Sequence, residues 1–449
     1  MLWLLALPTL IVVNARVWTG TAWTEAVAVS GERILATGTS GEMRALAAPG
    51  ATILDALGDY LTAGFNDAHF HLPDPPLGHV PLPLAGMKTR AEMLRRISVY
   101  AANVAPGEWV VGEGWTNVAP SREELDRAAP RNPVSLVHRD GDRVVANTLA
   151  VRAAGGDGLD ALELARLPGA YVRRLEAALA ALPSLGLTSI QHIGSWQQLL
   201  ALRRVKLPVR VYASVPLKHW RRLRDLVERE GRGDEWLHWG LLKGWANQWR
   251  GEEEWSGHIQ GATAAGLQVA MHVGDERVLH GLLSIMARVD SPGSRFRLEH
   301  VNGLPLDTVA EMARRKAMAS VQPTLLAEPG KAKLLFAGRE LLEAGVRVAF
   351  GTDSGSSGAT PPLAVMKIAL ERPGPDGRRI SLEQAIDAYT YGSAYAEFAE
   401  ERKGRLTPGS LADFVVFDRG LGAIRLTVIG GRIAYQEPKA AMSAASGAR

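Results

Sequence analysis

The chain has 449 residues, 47% of them hydrophobic and 22% charged, with no cysteine and a formal net charge of +4. This is the composition of an ordinary soluble globular protein, and the lack of cysteine excludes disulfides, thiolate metal sites and a cysteine nucleophile together. Basic residues are interleaved with acids and leucines, as in "HWRRLRDLVERE", so solvated helix faces account for the charge better than a nucleic-acid surface does.

The chain starts with the apolar run "MLWLLALPTLIVV", which lacks a basic flank, and Pro8 cuts it far short of the roughly 20 residues that a membrane span requires. The expectation is a chain that does not span a membrane and resides in the cytoplasm, with an atypical export signal over residues 1–8 as the alternative. Three stretches then read as short strands between turns: "TLIVVNARVWTG", "EAVAVSGERILATG" and "ATILDALGDYLTAGF". The far end repeats the texture in "LADFVVFD" and "IRLTVIGGRIAY", where Gly430 and Gly431 mark a hairpin-like turn. These ends predict a small β domain assembled from residues 1–60 and 404–440, followed by a loose tail over 441–449.

Between the ends lie eight apolar runs of strand character, most followed by a helix-like segment: "LTAGFNDAHFH", "GLTSIQHI", "VRVYASV", "WGLLKGWA", "LQVAMHV", "FRLEHV", "AMASVQP" and "VRVAFGTDS". Alternation of this kind argues for parallel βαβ units, and eight units argue for an α/β fold with a (β/α)8 TIM-type barrel over residues 61–403. The stretch of about 75–169 breaks the alternation and carries its own strands, "EWVVGEGW" and "PVSLVH". It reads as an inserted subdomain after the first barrel strand.

The polar residues on these runs carry the chemistry. The first run ends in His69 and His71, the fourth contains Lys243, the fifth ends in His272, the sixth in His300 and the eighth in Asp353. Residues two apart share a strand face, and imidazole is the commonest metal ligand. Taken singly, each has an ordinary reading: a hydrogen-bonded core histidine, a turn-capping aspartate, a lysine paired with an acid. Lys243 is the most informative, because a lysine inside the apolar strand "LLKGW" costs several kcal/mol unless it is paired or chemically altered. In a parallel barrel the C-terminal strand ends converge on one mouth, so these six residues would meet there.

With these residues in view, the sequence resembles the metal-dependent amidohydrolase superfamily. Its pattern is His-x-His on the first strand, Lys on the fourth, His on the fifth and sixth, and Asp on the eighth, with a β-sandwich built from the two ends of the chain, here residues 1–60 and 404–440. Stretches such as "GEGW", "REELDRAAPRNPV", "RDG" with Asn147, "RFRLEH", "VQP" and "KGRLTPGSLADFVVFD" are similar to the amidohydrolase-3 group, which includes N-substituted formamide deformylase-like and exoenzyme-regulator-like proteins. Three positions depart from that group: Asp142 stands where it usually has His, Asn247 stands where it usually has an acid, and "HVGD" is one residue short.

The resemblance implies two divalent metal ions, zinc the natural choice, held by His69, His71 and Asp353 and by His272 and His300. Lys243, carboxylated by carbon dioxide, would bridge them. It further implies that metal-activated hydroxide cleaves a non-peptide carbon–nitrogen bond of the amide type in a small molecule, with Asp353 as general base. Trp115, His192, Trp245, Trp249 and Asp275 are candidates for substrate contact. The expected partner is a small-molecule substrate, with no nucleic acid and no membrane, and homo-oligomerisation is left open. Two other functions remain at this point. One is a deaminase of an aminated heterocycle on the same barrel, since His272-Val-Gly-Asp275 is similar to the His-x-x-Glu element of those enzymes; the other is a catalytically idle binding or regulatory protein.

Overall fold

A computed structural model describes residues 7–75, 81–116, 118–248, 250–289, 293–303, 306–327, 336–354 and 360–438. The expected tail over 441–449, Trp249 and most of the proposed export signal lie outside these residues.

Eight parallel strands form the central sheet: Phe65–Phe70, Leu187–His192, Arg210–Pro216, Leu237–Ala246, Gln268–Val273, Arg297–Glu299, Met318–Val321 and Val348–Phe350. They neighbour one another in chain order. The eighth closes towards the first through Asp353 N–H to the His69 carbonyl and His71 N–H to the Ser354 carbonyl, each 2.9 Å. Each of the eight predicted runs therefore contains a strand of one nearly closed (β/α)8 barrel, although residues 61–63 of the first run belong to another sheet.

Local chemistry sets where the interleaved helices begin. Ser195 accepts the Gln198 N–H while the Gln198 side chain accepts the Ser195 N–H, starting the helix Trp196–Leu202 immediately after the second strand. Asp275 starts Glu276–Arg288 after the fifth by accepting the Val278 N–H. The helices press onto the sheet through Leu199, Leu223, Ile259, Leu282, Val365 and Ile386, each sealed from solvent. At about 1.5–3 kcal/mol for each fully buried aliphatic side chain, this layer is the main term holding the barrel.

Residues from both chain ends build two further sheets. In one, Leu10–Val13 lies between Ala26–Ser30 and Thr52–Asp55; in the other, Phe414–Phe417 pairs with Tyr60–Ala63 and Ile424–Ile429. They share a core containing Leu10, Val12, Val17, Leu61, Phe414 and Leu426. The stretch "TLIVVNARVW" is not the single strand its pattern predicts. Asn14 takes φ +54° and donates to Asp55, so Leu10–Val13 enters one sheet and Arg16–Trp18 the other. Asn adopts the left-handed region at lower cost than most residues, which makes it a suitable corner. Gly430 and Gly431, both at positive φ, form the predicted hairpin turn. A buried pair, Arg210 with Asp413 at 2.6 Å, fastens the third barrel strand to this region.

The stretch after the first barrel strand contains a separate four-stranded sheet, with Val110–Trp115 and Val134–His138 parallel at its centre. It has its own apolar core, including Leu84, Ile97, Leu125 and Leu136. Arg222, on the helix after the third strand, reaches Asp160 and Glu163 and ties the segment to the barrel.

Candidate metal centre

The first barrel strand delivers His69 and His71 to the C-terminal mouth, both on one face as their spacing requires. Asp353 follows the eighth strand and faces them. Its Oδ1 lies 3.1 Å from His71 Nε2 and 3.4 Å from His69 Nε2, and ligand atoms of the three residues lie within 4.8 Å of one another. The His300 ring centroid is 4.7 Å from that of His69 and 4.5 Å from that of His272. The structure thus brings four imidazoles and a carboxylate from four strands into one cluster.

Lys243 belongs to the same cluster. Its side chain is 1% exposed, its Nζ has no hydrogen-bond partner among the described residues, and its charge acts on His69, His272, His300 and Asp353. Burial pushes its ammonium down to about 8, so a substantial neutral fraction exists at mildly alkaline pH. His69 is lowered to about 4 and His300 to about 2, by burial first and then by neighbouring positive charge. Burial would raise Asp353, but the hydrogen bond from His71 and the surrounding imidazoles hold it at about 2. Neutral imidazoles and an ionised carboxylate are the forms that bind metal.

Backbone strain is concentrated here. His300 has φ +69° and Asp353 φ +53°, a region where non-glycine residues cost of order 1–3 kcal/mol and which recurs at functional sites. Gly351 makes the close approach possible, since a Cβ there would lie 2.6 Å from the His69 backbone nitrogen.

Glu299 and Asp67, neither anticipated from the sequence, hold His69, and Arg297 holds Glu299. Glu299 Oε2 lies 2.6 Å from His69 Nδ1, so the ring donates from Nδ1 and turns Nε2 towards Asp353. Arg297 pairs with the same carboxylate at 2.9 Å and also donates to Gln191 and the Ala68 carbonyl. The available signal was two opposite charges, two residues apart, in the strand "FRLEH". Asp67 accepts N–H groups from both His69 and Thr352, joining the first strand to the approach to Asp353.

The substrate-contact candidates separate. Trp245 is 43% exposed at the mouth, with its ring centroid 6.0 Å from Lys243 Nζ. Trp115 lies instead in the core of the inserted segment, donating to the Leu136 carbonyl and packing edge-on against His138. That placement corrects its expected role: its bulk serves packing. Asp275 is solvent-exposed, and its carboxylate caps a helix. His192 is wholly buried, and burial pulls it down to about 3, so it does not line an open cavity. Asn147 accepts the Val134 and Ala150 N–H groups, a structural reason for its presence in the motif. A cavity of about 730 Å³ lies around Tyr212, His238 and Glu397 at the opposite end of the barrel. None of the six ligand-type residues lines it, so volume and chemistry point to different ends, and the convergence of donors decides for the C-terminal mouth.

A family model described as "Amidohydrolase family" matches residues 52–435. The chain belongs to the amidohydrolase family. Membership makes it a metal-dependent hydrolase in general terms and accounts for the chemistry of the donor set. This amidohydrolase is 26% identical to "Protein LONG AFTER FAR-RED 3" of Arabidopsis thaliana, over 95% of this chain and 91% of that one. It is 38% identical to an N-substituted formamide deformylase of Arthrobacter pascens, but over only 32% of this chain and 29% of that one. In fold it is similar to an uncharacterized metal-dependent hydrolase from Pyrococcus furiosus, with a TM-score of 0.60, 23% identity, and 91% and 99% of the two chains covered.

Proposed function

We propose that this amidohydrolase cleaves an amide-type, non-peptide carbon–nitrogen bond of a small molecule at a centre for two divalent metal ions, zinc by preference. The observation that carries the reading is the cluster of His69, His71 and Asp353 ligand atoms within 4.8 Å of one another, beside Lys243, whose buried Nζ has no hydrogen-bond partner among the described residues. His69, His71 and Asp353 would hold one ion and His272 and His300 the other. The neutral amine of Lys243 would add to carbon dioxide, releasing a proton, to give a carbamate that serves both. Bound metal supplies an activated water and polarises the scissile carbonyl.

The chain's own residues do the rest. Asp353, ionised at neutral pH, accepts a proton from the attacking water and passes it to the departing nitrogen as the new carbon–oxygen bond replaces the carbon–nitrogen bond. Glu299 and Asp67 keep His69 in place during this exchange. Trp245 offers an aromatic wall for an apolar substituent at the mouth. The deaminase reading asks Asp275 to move a proton at the substrate, and here that carboxylate caps a helix.

The test is a screen of protein loaded with zinc in the presence of bicarbonate against N-formyl, N-acyl and cyclic amides, following amine release. Turnover of an amide with two metal ions per chain is the expected result. Ammonia release from aminated rings, with no amide cleaved and one metal ion per chain, would replace this reading with the deaminase.

A further inference from the structure

His71 is tied to the eighth strand through its own N–H to the Ser354 carbonyl. It lies just beyond the strand Phe65–Phe70, its side chain is 34% exposed, and the chain from Leu72 to Asp74 has no regular structure. A ligand on such an end needs its backbone held from outside.

The second barrel strand also does this. His192 ends Leu187–His192 and pairs in register with Phe70. Its Nδ1 lies 3.2 Å from the Leu72 nitrogen and 3.3 Å from the Phe70 carbonyl oxygen. That carbonyl already accepts the Ile193 N–H at 2.8 Å, so the arrangement that satisfies most groups has Nδ1 accepting from Leu72. Gln198, on the helix that follows, donates from Nε2 to the Leu72 and Pro73 carbonyls at 3.3 and 3.2 Å. Gly194 leaves room for the ring: a Cβ there would stand 2.2 Å from His192 Nε2.

We propose that His192 is a positioning residue for the metal ligand His71, acting through the Leu72 N–H and assisted by Gln198. The inference rests on the metal-centre reading above. It gives this buried histidine a role other than substrate contact. Groups that orient a ligand from behind typically change metal affinity by about 10- to 100-fold when removed.

The test compares H192L, which removes the acceptor, with H192N, whose side-chain oxygen replaces Nδ1. Zinc affinity is measured by chelator competition, and exchange of the Leu72 amide hydrogen is followed in metal-free protein. H192L should exchange Leu72 faster and bind the more weakly held zinc about 10- to 100-fold less tightly, while H192N stays close to wild type. A purely structural role would lower the unfolding temperature and leave the zinc affinity of the folded fraction unchanged. Should H192L fail to fold, G194A displaces the imidazole while keeping its polar atoms, and the same loss of affinity is expected.

Wild-type zinc affinity in folded H192L, or an H192N variant as weak as H192L, would overturn the proposal. If wild-type protein binds no zinc, the proposed function fails, and Leu72 exchange still judges the contact: no change in H192L refutes it.

Discussion

His69 Nδ1 lies 2.6 Å from Glu299 Oε2, and neither side chain is more than 1% exposed. Burial alone would raise the Glu299 carboxyl, but Arg297, His69 and Lys243 together hold it well below its ordinary value. The contact therefore joins an ionised acid to a neutral ring and directs the other ring nitrogen into the cluster. In E299Q the side-chain shape is retained and the charge is lost, leaving Arg297 buried without its charged partner and one of the two acceptor contacts unmade. Removing one partner from a buried pair costs about 3–5 kcal/mol, and loss of this kind of outer support weakens metal binding by about 10- to 100-fold. Chemical denaturation and chelator competition read the two effects separately; unchanged affinity would remove Glu299 from the metal-supporting role.

Asp353 both completes the first ligand group and is placed to move the proton. D353N should fold, as judged by circular dichroism, because the Asp353 N–H to His69 contact involves only the backbone. Its turnover of any substrate found in the amide screen should fall to background. Activity within tenfold of wild type would assign the proton transfer to another group.

Gly351 is where the eighth strand presses on the first. In G351A the added Cβ would meet His69 backbone and Cβ atoms at 2.6 Å, and none of these can rotate away. Overpacking of this kind costs roughly 1–3 kcal/mol. Thermal unfolding should shift downwards and zinc affinity should fall with it, since the displaced atoms carry a ligand. Unaltered unfolding and affinity would show that the barrel seam is looser than its geometry.

At the opposite end of the barrel, burial would raise Glu397, but Lys403 at 2.6 Å and His238 at 3.2 Å hold it at about 2, below its ordinary 4.5. A depressed carboxyl contributes stability that is fully present above its unfolded-state value and is lost as pH falls through the folded-state value. Metal-free wild type should therefore lose roughly 3 kcal/mol between about pH 4.5 and pH 2 through this group. E397Q should lack that part of the slope. Equal acid dependence in the two proteins would show that other carboxylates govern acid unfolding.

The eight strands were legible because each is a short apolar run of period appropriate to a buried parallel strand, with helix-forming sequence after it. The six ligand-type residues were legible because position within a strand fixes which end of a parallel barrel a side chain reaches. Asn14 was not legible as a corner, because a single residue at positive φ leaves the apolar pattern on either side of it intact. Trp115 is the converse case. An aromatic beside a "GEG" turn suits a pocket wall and a core equally, and only packing against His138 and Leu136 decided for the core.

Sequence by itself determined the barrel and which side chains could meet, because those follow from periodicity and chain order, and its motifs carried the resemblance to the family. Tertiary structure alone decided how the meeting is organised. It paired Glu299 with His69 across 230 positions of sequence, left Lys243 Nζ without a hydrogen-bond partner among the described residues, and turned His192 from the cavity to the Leu72 backbone. Hydrogen bonds and desolvation depend on distances between groups far apart in the chain, and no local pattern encodes those distances.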